Sequence, residues 1–265
     1  MSYQDAILEK EGGVAILILN RPDRLNALNA RLMTEIANAV TEVDEDDEMK
    51  VLIITGAGRG FCSGADLIPS PSTGERVMPG RRLLLEPMGG FGRIARVLAS
   101  TDKPTIAAVN GVAAGAGFSI AVACDIRIAS ENARFSAIFV RRALVPDTGI
   151  TYFLPRIVGI SKAVELCITG DIIDAVEAER IGLVSKVVPH DDLIKEAKEL
   201  ATRLAKGPSV SIELAKRSVY KGLENDLATQ LAYETWAYNV AIQTEDVQEG
   251  RRSFIEKREP VFKGR

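Results

Sequence analysis

A chain of 265 residues, 46% hydrophobic and 26% charged, carries enough apolar material for one large core, or for a core with an appendage. Its formal net charge of -3 and a pI near 5.5 argue against nucleic acid as a partner. Cys62, Cys124 and Cys167 are odd in number and scattered without metal spacing, which argues against a disulfide framework and a metal site and suits reduced thiols in a cytoplasm.

The polar opening Met1-Ser2-Tyr3-Gln4-Asp5 lacks a signal-peptide pattern, and no apolar run reaches membrane-spanning length. A soluble, cytoplasmic protein with no membrane partner is therefore expected. Ile7 to Glu11 and Val14 to Leu19, separated by Gly12-Gly13, predict a β-hairpin. Asn29 is placed to cap a helix whose apolar positions Leu32, Met33, Ile36, Val40 and Val43 share one stripe. Val51 to Thr55 then predicts a buried strand. Ser70 to Pro79, rich in Pro, Ser and Gly, predicts a loop suited to an active-site flap, and Arg81 to Ala99 has helical spacing. Next come a strand at Thr105 to Val109, a small-residue helix at Ala116 to Cys124 and a strand at Ile126 to Ser130. Helical segments at Lys162 to Thr169 and Ala175 to Ile181 lead to a strand at Val184 to Val188. Short buried strands alternating with helices predict an α/β fold.

From about Asp191 onward no strand is predicted. Helical patterns run from Leu193 to Ala205, Val210 to Leu223, Leu227 to Ile242 and Asp246 to Arg258, broken at Gly207-Pro208 and Asn225-Asp226. So much helix after a complete strand set points to a subunit interface, with a separate helical core as the alternative. The expected division is a core over residues 1–195 and a helical oligomerisation region over 196–265.

Two stretches carry the chemistry: Gly60-Phe61-Cys62-Ser63-Gly64-Ala65-Asp66 and Asn110-Gly111-Val112-Ala113-Ala114-Gly115-Ala116-Gly117. Each follows an apolar run and offers peptide N–H groups with room for close approach, as an oxyanion requires. The N–H of Ala65 and the first N–H of the helix at Ala116 would make a two-donor site for a thioester oxygen. Tight strand-to-helix turns would look the same in sequence. His190, the lone histidine, falls where a surface turn is expected, so a Ser-His-Asp or Cys-His engine has no support. Gly58-Arg59-Gly60 is no phosphate loop. Asp147, in Val145-Pro146-Asp147-Thr148-Gly149, lies between apolar segments; burial would raise its pKa and make it a general base, whereas it could instead be a helix N-cap or turn aspartate, and a capping role would stabilise the carboxylate. Ser119, Glu86 and Asp66 are weaker candidates, and Asp66 could simply fix its loop.

Asn20-Arg21-Pro22-Asp23-Arg24-Leu25-Asn26-Ala27-Leu28, Gly64-Ala65-Asp66-Leu67, the segment from Lys103-Pro104 to Gly117, Cys124-Asp125 and Phe254-Ile255-Glu256-Lys257-Arg258 together resemble the crotonase, or enoyl-CoA hydratase/isomerase, superfamily. The resemblance covers essentially the whole chain. It implies a spiral of β-β-α units followed by an α-helical trimerisation region, assembled as a homotrimer or a dimer of trimers. It implies an acyl-CoA substrate, in which CoA is part of the substrate and no separate cofactor or metal is needed. The oxyanion donors map to the backbone of Ala65 and Ala116. Contacts to the CoA ester map to Arg24, Leu25, Ala27, Asp66 and Leu67, with Phe254 and Lys257 from the tail or a neighbouring subunit. Hydratases of the superfamily use two glutamates, whose positions here hold Ser119 and Phe139. Asp147 stands where single-acid isomerases carry their carboxylate. The expected activity is therefore double-bond isomerisation; the alternatives are an atypical hydratase, an aryl-CoA dehalogenase or acyl-CoA hydrolase using Asp147, and a non-catalytic CoA-ester binding protein.

Overall fold

The computed structural model describes residues 3–67 and 88–265. The expected flap at Ser70 to Pro79, Glu86 and the start of the segment from Arg81 lie outside them. The predicted hairpin is present: β1 (Ala6–Glu11) pairs antiparallel with β2 (Val14–Leu19) across Gly12 and Gly13, whose φ values of 58° and 82° need glycine's freedom. Helix α1 (Ala30–Asp44) is capped as expected, Asn29 Oδ1 accepting from Leu32 N at 2.7 Å.

The chain then repeats one pattern. A longer strand is followed by a three-residue strand, and the two enter different sheets. β3 (Val51–Gly56) leads to β4 (Gly60–Cys62), β5 (Thr105–Val109) to β6 (Val112–Ala114), and β7 (Ile126–Ser130) to β8 (Arg134–Ser136). β9 (Ile172–Asp174) and β10 (Lys186–Val188) complete the set. The six-stranded sheet has the order β1-β2-β3-β5-β7-β10 and is parallel from β2 onward. The four-stranded sheet has the order β4-β6-β8-β9, its first three strands parallel and β9 antiparallel at the edge.

Helices α2 (Gly89–Ser100), α3 (Ala116–Ala123), α4 (Ile150–Val158), α5 (Ile160–Thr169) and α6 (Ala175–Arg180) follow or separate these strands. α4 is not anticipated by the sequence, because Pro155 sits inside it and cannot donate to the helical ladder.

Side chains alternate across the large sheet. Leu17, Leu19, Leu52, Ile54, Ala107 and Val109 face the main core with Phe61, Phe118 and Phe135. Val14, Ile16, Val51, Ile53, Ile106 and Ala108 face the other way and are covered by Leu193, Ala197 and Ala201 of α7 (Leu193–Ala205). Each such fully buried side chain of Leu or Ile size contributes roughly 1.5–3 kcal/mol. α7 is continuous through residues 195 and 196, where the sequence placed a boundary, and it packs as part of the core. The helical tail proper is α8 (Ser209–Gly222), α9 (Leu227–Ala241) and α10 (Glu245–Glu256). Among the described residues, no helix is long and apolar enough to cross a membrane.

Candidate active site

β4, β6 and β8 are neighbouring parallel strands, so their C-terminal ends emerge on one edge of the small sheet. Three loops meet there: Ser63 to Leu67, Gly115-Ala116, and Ala137 to Phe139. Their closeness shows in how little room the glycines have. A methyl group on Gly64 would lie 2.8 Å from Ala114 O and 3.5 Å from Ala116 N. One on Gly115 would lie 3.7 Å from Ile138 Cγ2 and 4.0 Å from both Gly64 Cα and a ring carbon of Phe139. On Gly117 it would sit 2.1 Å from Cys62 O, which the backbone cannot accommodate. Gly64 has φ 96° and Gly115 φ 52°, the left-handed region.

The edge presents two peptide N–H groups. Leu28 N donates to Gly64 O at 2.7 Å and Asp66 N donates to Leu28 O at 3.0 Å. These bonds flank Ala65, so its own N–H points to the opposite side, and Ala65 is exposed while Gly64 and Cys62 are buried. Ala116 is the first residue of α3, and its N–H is one of that helix's orphan donors at the positive end of the helix dipole. Neither N–H has a hydrogen-bond partner among the described residues. All eight residues of α3 are buried.

Polar side chains hold the first donor loop. Asn26, fully buried with φ 56°, accepts from Arg21 N at 2.8 Å and donates to Gly60 O at 2.8 Å and Ala57 O at 3.0 Å. Asn110 donates to Gly56 O, Gly58 O and Gly60 O from the other side. The Arg21 guanidinium donates to Ala27 O and pairs with Asp66 Oδ2 at 2.7 Å, so Asp66 does fix its loop. Asn26, Asn110 and Arg21 were named in the sequence only within longer motifs and given no role; an asparagine shortly after Pro22-Asp23 is the signal for Asn26, because its side chain tolerates a left-handed backbone. Arg24 and Leu25 are half-buried, Ala27 is buried, and Leu67 is 64% exposed beside Ala65. Thus Arg24, Leu25, Ala27, Asp66 and Leu67 do come together. Phe254, 85% exposed, and Lys257 lie at the end of α10, and no hydrogen bond or ion pair among the described residues joins them to these loops.

Ser119 lies one helical turn beyond Ala116 and is fully buried. Its hydroxyl reaches Gly115 O and Asp147 O, each at 3.2 Å, so it ties the second donor loop to the Asp147 turn and does not face an open site. Phe139 is 6% exposed against Gly115. Asp147 departs from expectation: it is exposed, not pressed between apolar segments, because Val145 and Leu144 beside it also face outward. It is not a helix cap, since the N-cap of α4 is Gly149 and no side chain caps it, but it does open a turn, Ile150 N donating to Asp147 O at 3.2 Å. The carboxylate instead accepts from Thr148 Oγ1 at 2.7 Å. Burial pushes the Cys62 and Cys124 thiols up to about 12, so neither supplies a thiolate. His190 sits in a 3-10 turn after β10, 3.4 Å from Ser130 Oγ. Among the described residues no group of three or more His, Cys, Asp or Glu could hold a metal.

Residues 9–265 match the enoyl-CoA hydratase/isomerase family. The chain belongs to that family. It is 41% identical over 260 residues to a short-chain-enoyl-CoA hydratase of Clostridium acetobutylicum, covering 97% of each chain. It is 38% identical over 255 residues to the 1,2-epoxyphenylacetyl-CoA isomerase of Escherichia coli, covering 96% of this chain and 97% of that one. Among solved structures, the enoyl-CoA hydratase of Bacillus anthracis superposes with a TM-score of 0.90 at 36% identity, covering 99% of this chain and 100% of that one. The crotonase-like β-β-α spiral expected from the sequence is the observed fold, and the protein is an enzyme of the enoyl-CoA hydratase/isomerase family.

Proposed function

We propose that this enzyme moves a carbon–carbon double bond within an enoyl-CoA ester, using Asp147 as its one acid and base. The N–H groups of Ala65 and Ala116 hold the thioester oxygen. Asp147 takes a proton from C2, the electron pair moves onto that oxygen as a dienolate, and the same carboxylic acid returns the proton to C4. Each well-aimed donor stabilises the charged state by roughly 3 kcal/mol. The observation that carries this reading is what flanks the donors. Phe139 is a buried hydrocarbon and the Ser119 hydroxyl is directed at backbone carbonyls, so neither can handle water as a glutamate would. Asp147 is exposed and tied through its backbone carbonyl to Ser119. The E. coli relative, named for an isomerisation of a CoA ester, is in keeping with this.

Arg24, Leu25, Ala27, Asp66 and Leu67 border the CoA ester in this reading, and Phe254 and Lys257 reach it from the tail, their own or a neighbour's. No separate cofactor is involved. Assembly as a homotrimer or dimer of trimers is supported by α9, which is apolar yet buries only Ala237, leaving Leu227, Leu231, Trp236 and Tyr238 between 47% and 75% exposed.

A panel of trans-2-enoyl, cis-3-enoyl and aryl CoA esters, followed by ultraviolet absorbance, separates migration from hydration. Asp147→Asn should abolish migration while CoA-ester binding stays nearly intact. Unchanged turnover in that variant, or hydration as the fast reaction, would sink the assignment.

A further inference from the structure

The Asp147 turn has a residue in a place it should not favour. Ile150 N donates to Asp147 O at 3.2 Å, closing a four-residue turn whose central residues, Thr148 and Gly149, have φ values of 54° and 77°. Two positive φ values in succession are the pattern of a type I′ turn, which selects Gly, Asn or Asp at its first central position. A β-branched threonine is among the worst choices there, because its Cβ substituents crowd the left-handed backbone. The surroundings hold it nonetheless: Thr148 is 4% exposed, and Ser119 Oγ lies 3.2 Å from the carbonyl of Asp147. Gly149 leaves no room for a side chain, since a methyl group there would lie 2.8 Å from the Phe153 ring and 3.3 Å from Ala95 Cβ.

The strained conformation has one visible product. Thr148 Oγ1 donates to Asp147 Oδ1 at 2.7 Å, between adjacent residues, while Oδ2 has no partner among the described residues. We infer that Thr148 is a positioning residue that anchors one oxygen of the Asp147 carboxylate, so that the other is the oxygen that carries the proton. This rests on the reading of Asp147 as the acid and base. A single carboxyl that takes a proton at one carbon and delivers it at another needs a fixed plane and a fixed reacting atom; a freely rotating side chain would present either oxygen in many poses. In the step itself the C2–H bond breaks as the O–H bond forms on the free oxygen. That O–H bond then breaks as C4–H forms. The Thr148 proton stays on its hydroxyl throughout, and the carboxylate is restored.

An anchoring role and a packing role for Thr148 predict opposite orders of activity. Thr148→Val keeps the branched shape and removes the hydroxyl; Thr148→Ser keeps the hydroxyl and removes the methyl group. With the enoyl-CoA ester that the wild type isomerises fastest, Thr148→Val should lower kcat tenfold or more with KM within about twofold, and Thr148→Ser should keep kcat within about threefold of wild type. If Thr148→Val does not fold, Thr148→Gly relieves the backbone and removes the hydroxyl, and the same loss in kcat is expected. Wild-type kcat in Thr148→Val or Thr148→Gly, or a larger loss in Thr148→Ser than in Thr148→Val, would show that the residue only packs and would overturn the inference. Asp147→Asn is measured alongside. If it retains turnover, the reading of Asp147 fails whatever Thr148 does; if it is inactive while Thr148→Val matches wild type, only the inference about Thr148 fails.

Discussion

The two donor loops deliver the same group, a peptide N–H, from the ends of adjacent strands, but they are held by different physics. The Ala65 loop is clamped by polar side chains: Asn26 and Asn110 grip the Gly56–Gly60 turn from two sides, and Arg21 bridges Ala27 O and Asp66. The Ala116 loop has a single side-chain tie, the Ser119 hydroxyl on Gly115 O and Asp147 O. Its close fit comes from the absence of side chains, with Gly117 against Cys62 O and a buried helix of small and apolar residues behind it. A clamp built from several hydrogen bonds loses its parts one at a time. A fit built on backbone contact either closes or does not.

That contrast can be broken most forcefully at Gly117. Gly117→Ala puts a carbon 2.1 Å from Cys62 O, so one loop must move by an ångström or more. Turnover should fall by about 100-fold, a displacement of that size being worth about that much, with a stability loss of about 1–3 kcal/mol from overpacking. Steady-state kinetics and urea unfolding check both. A near-wild-type rate would show that the donors need not be fixed relative to each other.

On the clamped side the effects should be graded. Asn26→Ala strips donors from Ala57 O and Gly60 O and the acceptor from Arg21 N, and should cost about 3 kcal/mol in the midpoint of urea unfolding. Arg21→Met removes a partly buried ion pair with Asp66 and the bond to Ala27 O; about 2 kcal/mol is expected, with KM for the CoA ester raised more than kcat is lowered. The smallest effect belongs to Asn29→Ala, which removes the cap of α1, the helix that follows the Arg21 to Leu28 segment. A loss of about 1 kcal/mol and a few degrees in Tm is expected, with kcat unchanged. If Asn26→Ala and Arg21→Met instead lost turnover as sharply as Gly117→Ala, the distinction between the two loops would be gone.

Legibility follows the same line. The hairpin at Gly12-Gly13, the capped helix after Asn29, the long parallel strands and the tail helices all appear near their expected ends, because periodicity, caps and turn residues act over a few neighbours. The small sheet was legible only through the resemblance to a known family. Its strands are three residues each, too short to show alternation, and Gly60, Ala113 and Ala114 resemble loop as much as strand. Helix α4 was hidden by its proline. Around the site, Ala65 and Ala116 were found from glycine spacing, whereas Asn26 and Asn110, which brace Ala65, were not, since their partners are backbone carbonyls 31 to 54 residues away.

By itself the sequence determined the alternation of strands and helices and the two glycine-bearing loops. Those are properties of residue type and short spacing, whereas Ser119 and Phe139 in place of a carboxylate pair is what the resemblance to the family implies. The tertiary structure alone decided that β4, β6 and β8 lie side by side and bring three distant loops to one edge. It also left Asp147 exposed on a strained turn where burial had been expected. Burial and proximity depend on which strands pair, and pairing between three-residue strands is fixed by the packing of the whole core rather than by anything written in the strands themselves.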